Sequence, residues 1–307
     1  MAERPNIPKT NIVMPVLNRH EETLVSILSI RRMTPERTLL TVVDNGSEEP
    51  LRRDLIRLAT EKVIDHLFIL ETNYGISPAC NLGWSLVDAP FFMKIDNDYE
   101  IIDDMWLEKI YGMWGKARYT SLMGPAWGCD TPIGRVDSEY GTMWTIPNSF
   151  VGSAFLVSKK VREQIGFFCE DYGVYGEEDA DYCLRCHHAG IRKYSFAAEP
   201  LIRMLGNDEA EGDYARAKRA IHAQNVGMAK GEGIFALNLF LYEQGLRSLN
   251  VPLKYSVAAV RGMHVTLKEN PEYAPCRDKL MQCAERYNAS GRKPGPDDIA
   301  AMRAILS

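Results

Sequence analysis

Strand and helix signals alternate along the first hundred or so residues with short loops between them, which predicts an α/β protein on a mostly parallel sheet flanked by helices. Two further observations shape that expectation. Aspartates Asp44 and Asp96 stand at the ends of predicted strands, where such sheets bind their ligands. Beyond about residue 205 the pattern turns helical, so residues 1–205 are expected to form the α/β domain and residues 206–307 a helical C-terminal extension.

Taken in order, NIVMPVL (Asn11 to Leu17) is an apolar run stopped by Asn18, which can cap the next segment. From Glu21 to Arg32 the residues Leu24, Ile27, Leu28 and Ile30 recur at helical spacing. TLLTVVD (Thr38 to Asp44) is a β-branched strand closed by the turn residues Asn45-Gly46-Ser47. Leu51 to Thr60 is helical, His66 to Glu71 a third strand, Pro78 to Leu86 a helix and Pro90 to Asp96 a fourth strand. Trp106 to Trp114 reads as a helix, followed by Gly- and Pro-rich loops and short strands such as FVGSAFLVS (Phe150 to Ser158). The extension reads as helices over Tyr214 to Met228, Gly233 to Leu246, Tyr255 to Leu267 and Pro275 to Tyr287, then a linker (Gly291 to Asp298) and a short final helix. Phe235, Leu237, Leu239, Phe240 and Leu241 are too apolar to stay in water, so the extension is expected to pack on the α/β domain.

Composition narrows the class. The 307 residues are 46% hydrophobic and 25% charged, as in ordinary globular proteins. A net charge of −5 with no long Lys/Arg run offers no nucleic-acid footprint. The longest apolar stretch, Ile234 to Tyr242, is far short of the roughly 20 residues that span a bilayer. MAERPNIPKT lacks a secretory core, and seven scattered cysteines fit reduced thiols, so a cytoplasmic location is expected, at most peripheral to a membrane. Cys183 and Cys186 form a CxxC within a helical segment and read as two buried thiols.

Asp96 and Asp98, in KIDNDYEII, follow an apolar strand. Side chains at i and i+2 of an extended segment share a face, so the two carboxylates project together and can share one hard cation suited to bridging a diphosphate. The competing reading is an acidic turn.

Five segments, in order, resemble a known family. IVMPVLNR, with Pro15, is similar to its opening strand and loop, VVDNGS to its nucleotide-binding segment, ETNYGISPACNLGW to its Asn-x-Gly pair, KIDNDYEI to its DxD, and VYGEEDADYCLRCHHAGIR to its acidic segment. The chain therefore resembles a family 2 glycosyltransferase of the GT-A fold over about residues 10–205. The resemblance implies a nucleotide-binding half (10–100) and an acceptor half (101–205), a nucleoside-diphosphate sugar donor that is UDP-linked by family habit, and inversion at the anomeric carbon. It implies Asp44 at the nucleobase, Asn73, Gly75, Asn81 and Gly83 around the donor, Gly152 beside the sugar and Asp179 as general base. Glu178 would orient the acceptor or the loop.

The chemistry is consistent with those assignments. Departure of a diphosphate builds negative charge that a Lewis-acid cation neutralises. Asp98 would be the direct ligand, Asp96 would hold the ribose or the metal's water shell, Asn97 reads as a spacer, and Mn²⁺ or Mg²⁺ suits carboxylate donors. Asp179 falls just before a predicted helix from Tyr182, where a carboxylate is stabilised but where acidic caps are also common. Asp181 and Arg185, at i and i+4, read as a helix-surface pair. Trp127 and Trp144 offer flat faces to an acceptor sugar, or simply pack in loops.

One departure stands out. Relatives carry a histidine metal ligand after the acidic segment, whereas EPLIRMLGND has Arg203 and Met204 there, and His222 is the nearest downstream histidine. The metal would then rest on Asp98, diphosphate and water, or Arg203 would take phosphate instead. Two other readings stay open: a non-catalytic carbohydrate- or protein-binding relative, and a nucleotidyltransferase, which lacks support because no Gly-rich, Lys-bearing phosphate loop lies near the N-terminus. Acceptor identity is equally open among glycans (as in polysaccharide biosynthesis), lipid-linked sugars, metabolites and proteins. So is the role of the C-terminal helices: closing over the acceptor, forming a homo-oligomer contact or docking a partner.

Overall fold

A computed structural model describes residues 7–34, 38–124, 132–147, 152–196, 201–206 and 233–307, with positions 216, 219, 220 and 223. Its first third is β1 (Thr10–Val16), α1 (His20–Met33), β2 (Thr38–Asn45), α2 (Glu49–Thr60), β3 (His66–Leu70), α3 (Ile76–Leu86) and β4 (Phe91–Ile95), in the predicted order. β3, β2, β1 and β4 lie side by side and parallel. β1 is buried along its whole length, as expected of a central strand covered on both faces.

The order of these strands decides where a ligand can sit. The chain steps from β1 to β2 to β3 in one direction, then returns to place β4 on the other side of β1. Such a reversal opens a crevice at the carboxyl ends of the two flanking strands. Pairing between β1 and β4 stops at Val13↔Lys94, so β1 runs on through Pro15 and Val16 without a β4 partner. Pro15, which has no N–H to donate, stands at that opening.

Past β4 come β5 (Tyr99–Ile101), α4 (Trp106–Lys116), β6 (Leu122–Gly124), the hairpin β7 (Gly134–Ser138) and β8 (Gly141–Thr145), β9 (Ala154–Ser158) and α5 (Lys159–Ile165). Beyond these lie α6 (Glu178–His188), β10 (Lys193–Phe196) and β11 (Ile202–Met204). β9 runs antiparallel to β4, continuing the sheet through β6, β10, β8 and β7. β11 pairs with β5 in a separate two-stranded sheet.

Helices cover both faces. Ile27 and Ile30 of α1, Leu51, Leu55 and Leu58 of α2 and the aromatic face of α4 pack with Ile12, Met14 and Val16 on one side. Ala79, Leu82 and Trp84 of α3, Val161 and Ile165 of α5 and Tyr182 of α6 pack with Val13 and Val43 on the other. Gly83 lets α3 approach closely, since a Cβ there would stand 2.6 Å from Val13 Cγ1. Cys183 and Cys186 are buried on α6.

The C-terminal region holds α7 (Ile234–Glu243), β12 (Tyr255–Arg261), β13 (His264–Glu269), α8 (Tyr273–Ala289) and α9 (Pro296–Leu306). The helix expected over Tyr255 to Leu267 is instead the β12–β13 hairpin, turning at Gly262 with φ 63°. Val265 and Leu267 are buried while Thr266 and Lys268 between and beyond them are exposed, a period of two that burial against β3 and α3 rewards over helical spacing. The hairpin extends the main sheet beyond β3. Leu237 and Leu241 join Leu280, Cys283, Tyr287 and Met302 in a small core of their own. Tyr242 turns to Cys169 and Tyr172, with Phe235 packed alongside. Most of the predicted helix Tyr214 to Met228, including His222, lies outside the described residues.

Candidate active site

The crevice between β1 and β4 is lined by two turns that are fastened together. Asn18 and Arg19 follow β1 in the left-handed region, at φ 54° and 58°. Non-glycine residues persist there only where their surroundings hold them. The Asn18 N–H donates to Ser47 Oγ (3.0 Å), and its Oδ1 accepts from the Glu48 N–H (3.0 Å). Asn97, after β4, donates from Nδ2 to the Asn18 carbonyl (3.2 Å) and to Thr23 Oγ1 (2.7 Å). Asn97 is thus a tie between the two turns rather than a spacer. Arg19 reaches across to Asp98, NH1 to Oδ2 at 2.6 Å.

Beneath them sits a residue that the motifs do not point to. Lys94 is almost fully buried, pairs with Asp96 (Nζ–Oδ1 2.8 Å) and donates to the Gly152 carbonyl (2.6 Å). Burial works against its charge, but Asp96 and Glu178 outweigh it and hold the amine above the usual lysine range. The signal that could have found it is a lysine two positions before Asp96, in phase with it on an apolar strand.

Gly152 and Ser153 precede β9, and the Asp96 N–H donates to the Ser153 carbonyl (2.9 Å), so β4–β9 pairing carries past the strand ends. Asp179 packs on the open side of Gly152: a Cβ added there would come within 2.5 Å of Asp179 Oδ2. A continuous set of contacts therefore runs from Asp96 through Lys94 and Gly152 to Asp179. Asp179 lies in the first turn of α6, one turn earlier than expected, and its Oδ1 accepts from the Ala180 N–H (2.7 Å). Glu177 caps that helix at φ 63°, and the buried Glu178 accepts from the Gly176 N–H (3.1 Å).

Burial, with the neighbouring Asp179 charge adding to it and Lys94 opposing it, pushes the Glu178 carboxyl up to about 7. An acid held above its ordinary value of 4.5 binds its proton more tightly in the folded chain. Its stabilising contribution is therefore full below that ordinary value and is lost as pH rises through about 7. Glu178→Gln is expected to flatten this decline, read as urea midpoints across the same range. An unchanged slope would count against the burial of an ionising Glu178.

The other expected residues divide by geometry. Asp44 is fully buried, its Oδ1 accepting from the Ser47 N–H (2.8 Å) and its Oδ2 from Arg52 Nε (2.9 Å). Asn73 Oδ1 accepts from the Gly75 N–H (2.9 Å) and Asn45 Nδ2 (2.9 Å), making a latch after β3. Gly75, at φ 102°, lies against Gly173 in the loop ahead of α6. Asn81 is spent on that same loop, donating to the Phe168 carbonyl (2.9 Å) and Glu170 Oε1 (2.8 Å) and accepting from the Phe168 N–H (2.9 Å). Trp144 is half-buried on β8 with the Arg135 guanidinium 5.5 Å from its ring. Trp127 lies outside the described residues. Asp181 and Arg185, expected on a helix surface, are wholly buried and paired at 2.6 Å, because that face of α6 packs under the C-terminal region.

Asp96 follows the end of β4 and Asp98 lies in the turn before β5, so the two are not alternate residues of one extended strand, contrary to the expectation from their spacing. Each carboxylate is partly open to solvent, and oxygen donors of this kind suit a hard cation. Among the described residues no cluster of three His, Cys, Asp or Glu side chains completes a cage. β11 runs antiparallel to β5, and the Leu205 N–H donates to the Asp98 carbonyl (2.6 Å), so the Arg203–Met204 stretch lies alongside the strand that follows Asp98. Arg203 is 63% exposed and pairs with Glu100. This donor set fits an ion such as Mg²⁺ or Mn²⁺ that takes one or two carboxylates and completes its shell with phosphate and water.

Comparison with known proteins bears on the family and the fold. A family model described as "Glycosyl transferase family 2" matches residues 11–169. No curated protein sequence matches the chain. Among solved structures, the mannosyltransferase PcManGT from Pyrobaculum calidifontis, in complex with GDP-Man and Mn²⁺, is similar at TM-score 0.55 and 14% identity, over 99% of this chain and 75% of that one. GalNAc-T7 with UDP, GalNAc and Mn²⁺ is similar at TM-score 0.55 and 13% identity, over 66% of this chain. The match spans 45% of the GalNAc-T7 chain. At such identities the likeness establishes the shared GT-A fold.

Proposed function

The chain belongs to glycosyl transferase family 2 and is a glycosyltransferase, and from this premise we propose that it moves a sugar, with inversion, from a nucleoside-diphosphate donor to a hydroxyl acceptor. The diphosphate would lie over the β1–β4 crevice, with Asp98 and Asp96 holding a divalent cation. When bound, that cation neutralises charge on the departing diphosphate. The acceptor oxygen forms its bond to the anomeric carbon as the bond from that carbon to the diphosphate oxygen breaks. The bonding pair leaves with the diphosphate, and Asp179 takes the hydroxyl proton. Glu178, buried behind Asp179, orients the loop rather than the acceptor, since its carboxylate accepts from the Gly176 N–H. Arg19 and Lys94 place fixed positive charge beside the carboxylate pair.

The observation that supports this reading best is the contact chain from Asp96 through Lys94 and Gly152 to Asp179, which gathers donor-side and acceptor-side acids at the switch point of the sheet. UDP is the expected nucleotide, in a cytoplasmic setting where activated sugars are used. Access to Asp44 then requires Arg52 to turn aside. A panel of UDP- and GDP-sugars, with Mn²⁺ or Mg²⁺ and with chelator, tests the proposal by diphosphate release and by the anomeric configuration of the product. Absence of binding to every donor in the presence of metal would remove its support. A second test is local. Gly152→Ala puts a methyl group against Asp179, and such a displacement is expected to lower kcat by about 10- to 100-fold. Unchanged turnover would separate Asp179 from the reaction.

A further inference from the structure

We propose that the segment from Asn238 to Tyr273 is a clamp that sets the loop carrying Glu178 and Asp179, with Arg247 as its positioning residue for the transfer reaction. The proposal rests on Asp179 as the general base. The family match ends at residue 169, just as this loop begins. Asn81, Gly75 and the Ile76 N–H touch the loop from within the matched range, and its further supports come from the C-terminal region. Those supports are buried and polar. Asp171 accepts from Arg247 NH2 on one oxygen and from the Tyr273 hydroxyl on the other. Arg247 NH1 donates to Asn238 Oδ1, whose Nδ2 donates to the Tyr172 hydroxyl (2.9 Å).

From Tyr172 the network continues into α6. The Tyr172 hydroxyl donates to Asp181 Oδ1 (2.9 Å), which also accepts from Tyr242 (3.2 Å). Arg185 holds the other Asp181 oxygen (2.6 Å) and donates to the carbonyls of Ile165 (2.8 Å), Phe167 (2.9 Å) and Leu249 (3.1 Å). On the near side, Glu170 Oε2 accepts from the N–H groups of Lys254 (2.7 Å) and Tyr255 (3.0 Å). Asp181 lies two residues from Asp179 in the first turn of α6, so its anchoring holds the backbone that carries Asp179.

Each end of the loop is thus tied by charge-assisted hydrogen bonds in a dry environment, where a group that loses its partner is not compensated by water. A loop with glycines at 173 and 176 and a left-handed Glu177 has no helix or strand of its own between residues 169 and 177. Its shape must come from these outside contacts. Arg247 is the junction, since it bonds both Asp171 and Asn238 and so joins the Tyr273 contact to the Tyr172–Asp181 branch.

The test uses the full chain with Arg247→Met, Arg247→Lys and Tyr273→Phe, and reads amide hydrogen exchange beside steady-state kinetics. Arg247→Met is expected to raise exchange in residues 170–182 and to lower kcat by about tenfold or more, with donor KM within about twofold. Arg247→Lys restores part of the kcat loss, and Tyr273→Phe, which removes one hydroxyl only, shows the same pattern more weakly. Should Arg247→Met fail to fold, Tyr273→Phe decides. Exchange unchanged in this loop, or raised there while kcat stays at the wild-type value, overturns the proposal. So does a matched loss of kcat and donor binding. Exchange reads the clamp without the reaction, whereas full turnover in Asp179→Asn would unseat the base assignment alone, so the two failures are distinguishable.

Discussion

Replacing Asp179 by Asn is expected to lower kcat for sugar transfer by about 10²–10⁴-fold, the range for losing a general base, while nucleoside-diphosphate affinity stays within about twofold. The asparagine side chain keeps the shape that packs on Gly152 and keeps an oxygen for the Ala180 N–H, so the first turn of α6 is preserved. What it removes is the ability to accept a proton. Proton uptake and donor binding would then separate cleanly, with the second reporting on Asp96 and Asp98. Equal turnover in the two proteins, or none in either, would instead favour a non-catalytic relative that binds carbohydrate or protein. That alternative draws on the absence of a histidine from EPLIRMLGND and on the closure of Asp44 by Arg52 and Ser47.

The first hundred residues were legible because strand and helix signals alternate there with short loops between them. TLLTVVD has no helical stripe, and the buried positions of α1 follow one. The hairpin at residues 255–269 was not, because Val257, Val260, Val265 and Leu267 can be placed at either spacing and the choice falls to a partner strand distant in sequence. The same limit applies to side-chain roles. Asn81 and Asn97 match a pattern by position, yet their amides are committed to the loop before α6 and to the β1–α1 turn. Spacing placed Asp181 and Arg185 one turn apart, but which face of α6 they occupy depends on the C-terminal region that covers them. Lys94 was invisible for a related reason. A lysine in an apolar strand reads as an interruption until the carbonyl of Gly152 and the carboxylate of Asp96 are seen to surround it.

Lys94→Met tests whether that buried cation holds the site together. Methionine fills a similar volume without charge, so packing between β4 and β9 is largely retained. The Gly152 carbonyl loses its donor, and Asp96 and Glu178 lose the positive charge that both of them sense. Breaking a buried pair on one side typically costs about 3–5 kcal/mol, and Asp96, with 27% of its side chain exposed, places this case toward the low end of that range. The loss is read as a fall in the urea midpoint with an unchanged m-value. Arginine should not restore it, because a guanidinium is bulkier than an ammonium at this buried position and projects a planar fork instead of a single point charge. Glu178→Gln in the same chain should restore part of it by removing one of the uncompensated charges. Additivity of the two substitutions would mean that Lys94 and Glu178 do not sense each other, and a single-variant loss below about 1 kcal/mol would mean that the lysine is not what compensates these acids.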